Sequence, residues 1–249
     1  MRLIRLFTAL VGLGVVVIAQ PCAACSNATL MGNYGFVLSG VNNTSVLTAT
    51  VGQITADGSG GLTGSETVSN DGVITSNVSI TGGYALNKNC TGTATITPAG
   101  GSASNYSLVM TGTQIQMVET DNGFTESGYA QAQGKANCSN AGIKGTLGFH
   151  GGGWKVSTSL IPTAFAAQVK ADGAGNVVSG TEQGSFGGSV YSVSLSGTYV
   201  VNANCTGTIT LTMSDGGTSH GNFVLVNGGL SSLTIQTDAG VIATVLVQK

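Results

Sequence analysis

Two glutamates lie where a carboxyl group could bind a ligand or transfer a proton. Glu66 ends a Gly-Ser-Glu segment, and Glu182 ends the matching Gly-Thr-Glu segment. Strand alternation would place each carboxylate on a face with apolar neighbours, where burial raises its pKa unless it is paired. Tyr84 and Tyr199, on the following strands, are the predicted partners. These four residues form the predicted ligand-binding sites, as a polar handle or an isomerase acid/base. The simpler interpretation, which we favour, is a structural hydrogen bond or a glutamate near a hydrated rim of the barrel.

The histidines and aspartates give weaker evidence for a metal or catalytic site. His150 and His220 stand in no metal-ligand pattern, and the repeat alignment sets His220 opposite Ala103, so both are expected to be solvated surface side chains. Asp57 and Asp172 lie in Asp-Gly-x-Gly turns. One carboxylate per turn is too few for a calcium site, so hydrogen bonding within the turn is the preferred interpretation. We expect no catalytic residue, no metal and no cofactor.

The elements that position these residues belong to a module that occurs twice. The order of the matched segments is the same in both copies, with a nearly constant shift along the chain. The clearest matches are Cys25–Ala28 with Cys138–Ala141, Ala56–Gly60 with Ala171–Gly175, and Tyr84–Thr93 with Tyr199–Thr208. The predicted domains are a first repeat at 25–134 and a second at 138–249.

Each copy divides into eight short runs rich in Thr, Val, Ile and Ser, separated by turn residues. In the first copy the strands are predicted near 33–40, 46–57, 61–70, 75–87, 92–99, 104–112, 114–122 and 125–133. The predicted fold is all-β, with two tandem homologous eight-stranded up-and-down antiparallel β-barrels after a signal peptide, because closure leaves no sheet edge. A two-sheet sandwich and a single sixteen-stranded outer-membrane barrel are the alternatives.

Four cysteines follow the predicted signal peptide. In an up-and-down barrel, the segment before strand one and the turn after strand four lie at the same end. That geometry predicts disulfides Cys25–Cys90 and Cys138–Cys205, as expected for an even cysteine count in an exported chain. Cys22-Ala-Ala-Cys25 also resembles a bacterial lipobox, so a lipid anchor through Cys25 is the minor alternative.

The N-terminus has the pattern of a secretory signal peptide over residues 1–24. Two arginines precede an apolar run, and cleavage after either Ala19 or Ala24 fits the small residues there. The run is too short for a comfortable membrane span, and no later stretch is long enough. The mature chain is therefore predicted to have no transmembrane span and to be secreted, periplasmic or at the cell surface.

The charge composition limits the kinds of molecule that the chain is expected to bind. Charged residues make up 7% of the chain and the formal net charge is −2. Loss of Arg2 and Arg5 with the leader makes the charge −4 and leaves no basic patch, so nucleic acid is not an expected partner.

The motifs Gly-x-Tyr/Leu-x-Phe, Ala-Asp-Gly-x-Gly and Tyr-x-x-Asn-x-Asn-Cys-Thr-Gly-Thr resemble repeated modules in secreted bacterial proteins of uncharacterised function. Their architecture is similar to calycin or allene-oxide-cyclase-like barrels. The resemblance implies a fold and no catalytic residue. We expect a secreted non-catalytic β-barrel protein that could bind a small apolar ligand. The alternatives are an envelope or adhesion module and a cyclase- or isomerase-like enzyme.

Overall fold

Residues 24–42 and 44–249 are described by the computed structural model of the chain. The signal peptide predicted over residues 1–24 thus lies outside the described residues, apart from Ala24.

The first repeat is a closed barrel in which each strand pairs with the next and β8 pairs with β1. Apolar side chains such as Phe36 and Leu38 point into the barrel and are buried, whereas Ser39 points outward and is exposed. Strand alternation requires this pattern. Its strands are β1 (Gly32–Asn42), β2 (Leu47–Ala56), β3 (Gly61–Asn70), β4 (Val73–Leu86), β5 (Thr91–Pro98), β6 (Ser104–Thr111), β7 (Gln114–Glu119) and β8 (Phe124–Ala132).

The second repeat is a second closed eight-stranded barrel with the same strand order. Its strands are β9 (Gly145–Val156), β10 (Leu160–Ala171), β11 (Asn176–Phe186), β12 (Ser189–Val201), β13 (Thr206–Met213), β14 (Thr218–Val226), β15 (Ser231–Gln236) and β16 (Val241–Gln248). Two tandem up-and-down barrels are therefore confirmed, and the sandwich and the single sixteen-stranded sheet are excluded. In the described part of the chain, no helix has the length and apolar character of a membrane-spanning helix.

A short 3₁₀ helix closes one end of each barrel, at Asn27–Leu30 and at Asn140–Ile143. We call this the lower end, and we call the helix with the turns around it the plug. Both predicted disulfides are present, and they tie the segment before each helix to the turn after the fourth strand. They join Cys25 to Cys90 and Cys138 to Cys205, closing loops of 65 and 67 residues. Cys25 is thus a disulfide partner and not a free thiol.

The barrels pack side by side through an apolar seam. It is formed by outward side chains of β1 and β2 against those of β14, β15 and β16, including Ala49, Val51, Val224, Val226, Leu233, Ile235 and Ile242. A Cβ atom at Gly35 would approach the Val226 Cγ1 to 2.6 Å. Glycine at this position therefore allows the two walls to touch.

Backbone hydrogen bonds across the seam fix the relative direction of the barrels. At the upper ends, Gly240 N–H donates to the carbonyl of Gly72 over 2.8 Å. At the lower ends, Gly228 N–H donates to the carbonyl of Gln133 over 2.7 Å. Both plugged ends therefore face one way, and both open ends, which we call the mouths, face the other.

Candidate functional site

The predicted pairing of Tyr84 with Glu66 is wrong. The Tyr84 hydroxyl accepts a hydrogen bond from Gly58 N–H at 2.9 Å and donates to the Asn27 carbonyl at 3.0 Å. These partners lie in the plug at the lower end. Glu66 pairs across the sheet with Val78, six residues before Tyr84, which is about 20 Å along a strand.

Tyr199 has the same role in the second barrel. Its hydroxyl accepts from Gly173 N–H at 3.1 Å and donates to the Asn140 carbonyl at 3.1 Å. The Asn140 side chain also accepts from Val201 N–H at 2.8 Å. The repeated Asn, Asp-Gly and Tyr motifs therefore hold the plug of each barrel in place.

A Glu–Tyr pair does exist in the second barrel, with a different tyrosine. The Tyr191 hydroxyl donates to Glu182 Oε1 at 2.8 Å, and Glu182 is only 5% exposed. A Cβ atom at Gly184, which faces Tyr191 across the sheet, would overlap the tyrosine ring. The glycine thus lets the ring lie flat across β11 and reach the carboxylate.

The second barrel encloses a cavity of about 530 Å³ that runs from the plug to the mouth. Most of its wall is apolar, with Phe149 and Phe165 in edge-to-face contact at a centroid distance of 6.2 Å. Other lining residues include Leu147, Val169, Ile209, Leu211, Met213 and Val247. The polar residues within this wall include Glu182 and Tyr191, and Thr163, Ser232 and Thr234 also line it.

At four inward positions the second repeat has smaller residues than the first, which leaves room for the cavity, although Phe165 replaces Thr50 and Ile209 replaces Ala94. Strand register matches the inward positions of the two barrels one by one. The exchanged pairs, first barrel to second, are Leu38 to Gly151, Tyr106 to Gly221, Ile115 to Ser232, and Met117 to Thr234. In the first barrel these large side chains belong to the buried core.

Polar residues surround the mouth of the second barrel. His220 Nδ1 lies 2.6 Å from Asp238 Oδ1, and Gln236 donates to Asp238 Oδ2 at 3.1 Å. Burial alone would raise the pKa of Asp238, but hydrogen bonds from the His220 backbone and ring and from Gln236 lower it. Lys155 and Asp215 also line this end of the cavity.

The alignment of His220 with Ala103 is wrong, since strand register sets His220 opposite Thr210 as it sets Asn105 opposite Thr95. Asn105 likewise donates to Asp121, by its backbone at 2.7 Å and its side chain at 2.9 Å. The histidine therefore occupies a structural position of the module, and its side chain is half exposed.

The mouth of the first barrel has a different character. Glu66, Glu119 and Glu126, which we call the acidic trio, line a cavity of about 190 Å³. Glu126 accepts hydrogen bonds from Thr48 at 3.0 Å and from the Tyr106 hydroxyl at 3.1 Å.

Burial dominates the electrostatics of both lumens. Burial, with the nearby charge of Glu126, raises the pKa of Glu66 to about 7. The same two causes raise the pKa of Glu119. In the second barrel burial raises the pKa of Glu182, although the hydrogen bond from Tyr191 opposes this shift. Both glutamates predicted from the sequence are thus lumenal carboxyl groups that hold a proton more tightly than in water.

Asp57 and Asp172 act within their turns. Asp57 Oδ1 accepts from the backbone N–H groups of Gly61, Ser59 and Gly60 at 2.7 to 2.9 Å, and the bond from Gly61 contributes most to lowering its pKa. Asp172 is bound in the same way, chiefly by Asn176. Over residues 24–42 and 44–249, no three His, Cys, Asp or Glu side chains are grouped as metal ligands.

No protein-family model matches the chain, and no curated protein matches its sequence.

Proposed function

We propose that the protein is an exported, non-catalytic binding protein whose second barrel takes up a small, mostly apolar ligand with one hydrogen-bond donor. The observation that carries this proposal is the cavity of about 530 Å³. It falls within the range of about 300–1,000 Å³ typical of small-molecule sites, which are mainly apolar with a few placed polar groups.

The polar pair suggests how the ligand is oriented. One oxygen of Glu182 accepts from Tyr191, which leaves the other oxygen for a donor on the ligand, such as a hydroxyl. The aromatic pair Phe149 and Phe165 would contact its carbon skeleton. Burial of that skeleton supplies the affinity, at about 25 cal/mol per Å² before the costs of association are subtracted.

Native mass spectrometry of the mature protein from its own host tests for a retained ligand. A discrete excess mass that disappears on denaturation supports the proposal and identifies the ligand. The bare mass would rule out a tightly retained ligand and favour a structural role in the envelope.

A titration with the neutral apolar dye N-phenyl-1-naphthylamine locates the site. Thr234→Met places the first barrel's side chain in the second lumen, and we expect it to weaken dye binding about tenfold, or about 1.4 kcal/mol. The control is Thr212→Met, the same change at an exposed position between two cavity-lining residues of β13. Equal dye affinity in the two variants would contradict the proposal.

A further inference from the structure

Three carboxyl groups line the cavity at the mouth of the first barrel, and no basic residue that the structure describes lines it with them. The acidic trio of Glu66, Glu119 and Glu126 comes from β3, β7 and β8. Among the described residues that line their cavity there is no lysine, arginine or histidine. Burial and the charge of Glu126 disfavour the ionised states of Glu66 and Glu119.

Glu66 is the unpartnered member of the trio. Its side chain is 8% exposed, and it lines the cavity. Within the described part of the chain, no hydrogen-bond donor reaches its carboxylate, whereas Glu126 has Thr48 and Tyr106. A buried carboxylate without a donor is unfavourable unless a partner enters from solution or a proton neutralises it.

We infer that the first barrel binds a small organic cation whose protonated primary amine is held between Glu66 and Glu126, the unpartnered carboxylate and its nearest charged neighbour. An ammonium group has three N–H donors and no acceptor, so it can donate a hydrogen bond to each of these two carboxylates. The rest of the cavity wall includes Phe36, Leu38, Ile96 and Phe124. This wall suits a short alkyl group, and a space of about 190 Å³ limits its size.

The charge distribution favours approach of a cation from the mouth. The repeat at 25–134 has six acidic residues and one lysine, a net charge of −5. That lysine, Lys88, lies in the turn at the plugged end. The field at the mouth is therefore negative and would raise the local concentration of cations.

The second barrel lacks this site. Strand register places Gln236 where the first barrel has Glu119, and Ala243 where it has Glu126. Only Glu182 is retained, and Tyr191 occupies one of its oxygens. The amine site is thus separate from the apolar site proposed above and does not depend on it.

The test is calorimetric titration of the mature protein at pH 7.5 with n-butylammonium, with 1-butanol as the neutral probe of similar shape and with calcium chloride. We expect saturable binding of one amine per chain and no binding of the alcohol. Glu66→Gln and Glu126→Gln should each weaken amine binding at least about 30-fold, as loss of one partner from a buried charged pair does. Glu182→Gln, the matched change in the second barrel, should leave it unchanged.

A measurement on the unsubstituted chain guards against variants that fail to fold. The side-chain carboxyl ¹³C signals of Glu66 and Glu126 should shift on adding butylammonium, and that of Glu182 should not. Three results would overturn the inference: no saturable amine binding, binding of calcium in preference to the amine, or weakening by Glu182→Gln instead of Glu66→Gln.

Discussion

Tyr106 and Gly221 occupy the same position in the two barrels, each paired across the sheet with the last residue of the following strand, Glu119 or Gln236. The Tyr106 ring fills the first lumen and its hydroxyl donates to Glu126. Gly221 leaves that volume to the cavity of the second barrel. This exchange is therefore one of those that leave less space in the first lumen than in the second.

Gly221→Tyr should close the second cavity. A Cβ atom there would lie 3.1 Å from Thr234 Cγ2 and 3.2 Å from both Ile209 Cγ2 and the Ile235 carbonyl oxygen, so the two side chains and the adjacent strand must shift by a few tenths of an ångström. We expect binding of N-phenyl-1-naphthylamine to fall at least about tenfold, measured by fluorescence titration. Unchanged affinity in a variant with a native circular dichroism spectrum would show that the dye binds elsewhere.

Tyr191→Phe should destabilise the second barrel. It removes the only hydrogen bond that Glu182 receives among the described residues and leaves a 5% exposed carboxylate without a donor. The free energy of unfolding should fall by about 1–3 kcal/mol, measured by urea denaturation at pH 7.5. The double variant with Glu182→Gln should recover part of this loss, and failure to do so would show that the ring's packing matters more than its hydroxyl.

The raised pKa of Glu66 should make stability fall as the pH rises. Because the folded state holds this proton more tightly, the free energy of unfolding decreases between about pH 4.5 and about pH 7 and is level above. The difference is at most about 3 kcal/mol. Glu119, Glu126 and Tyr106 face the same cavity, and the two glutamates, whose pKa values are also raised, act in the same direction.

Glu66→Gln should flatten this profile, measured by urea denaturation at several pH values above 4.5. Below that range Asp57 and Asp172, whose pKa values are lowered, lose their turn hydrogen bonds and reduce stability instead. A pH profile that is unchanged in Glu66→Gln would contradict the assignment.

Tyr84→Phe should affect stability and leave binding intact. It removes the bonds to Gly58 and Asn27 in the first plug, at a cost of about 1–3 kcal/mol. Dye binding in the second barrel and amine binding in the first should be unchanged, measured on the same samples. A loss of amine affinity without a loss of stability would restore the ligand-binding role predicted for Tyr84 from the sequence.

The fold was predictable because its signals are local. Alternating Thr, Val and Ile runs and Gly-containing turns give the strands, so that the prediction at 61–70 matches Gly61–Asn70. The parity of an up-and-down barrel was enough to pair Cys25 with Cys90. The inward direction of Glu66 also follows from alternation, which has a period of two.

The sites were less predictable because they depend on where a residue lies along the barrel axis and on the volumes of the side chains around it. Alternation gives the face of the sheet on which Tyr84 lies but not its distance from Glu66. Glu66 pairs with Val78, and Tyr84 lies six residues further along β4. The cavity is a difference between side-chain volumes at matched positions, which requires the register. The misalignment of His220 arose because the extra residues of the second repeat lie after it, in the connection at 227–230. Glu119 and Glu126 have no acidic counterpart in the second repeat, and a comparison of the two copies draws attention only to residues that both contain.

The seam between the barrels makes them one thermodynamic unit. Val224 and Val226 are buried only because the first barrel covers them, and the absence of a side chain at Gly35 brings the two walls into contact. Neither half can therefore unfold without exposing the apolar flank of the other. A molecule bound in either mouth would raise the melting temperature of the entire chain in a single transition, so the two copies share their stability even where their chemistry has diverged.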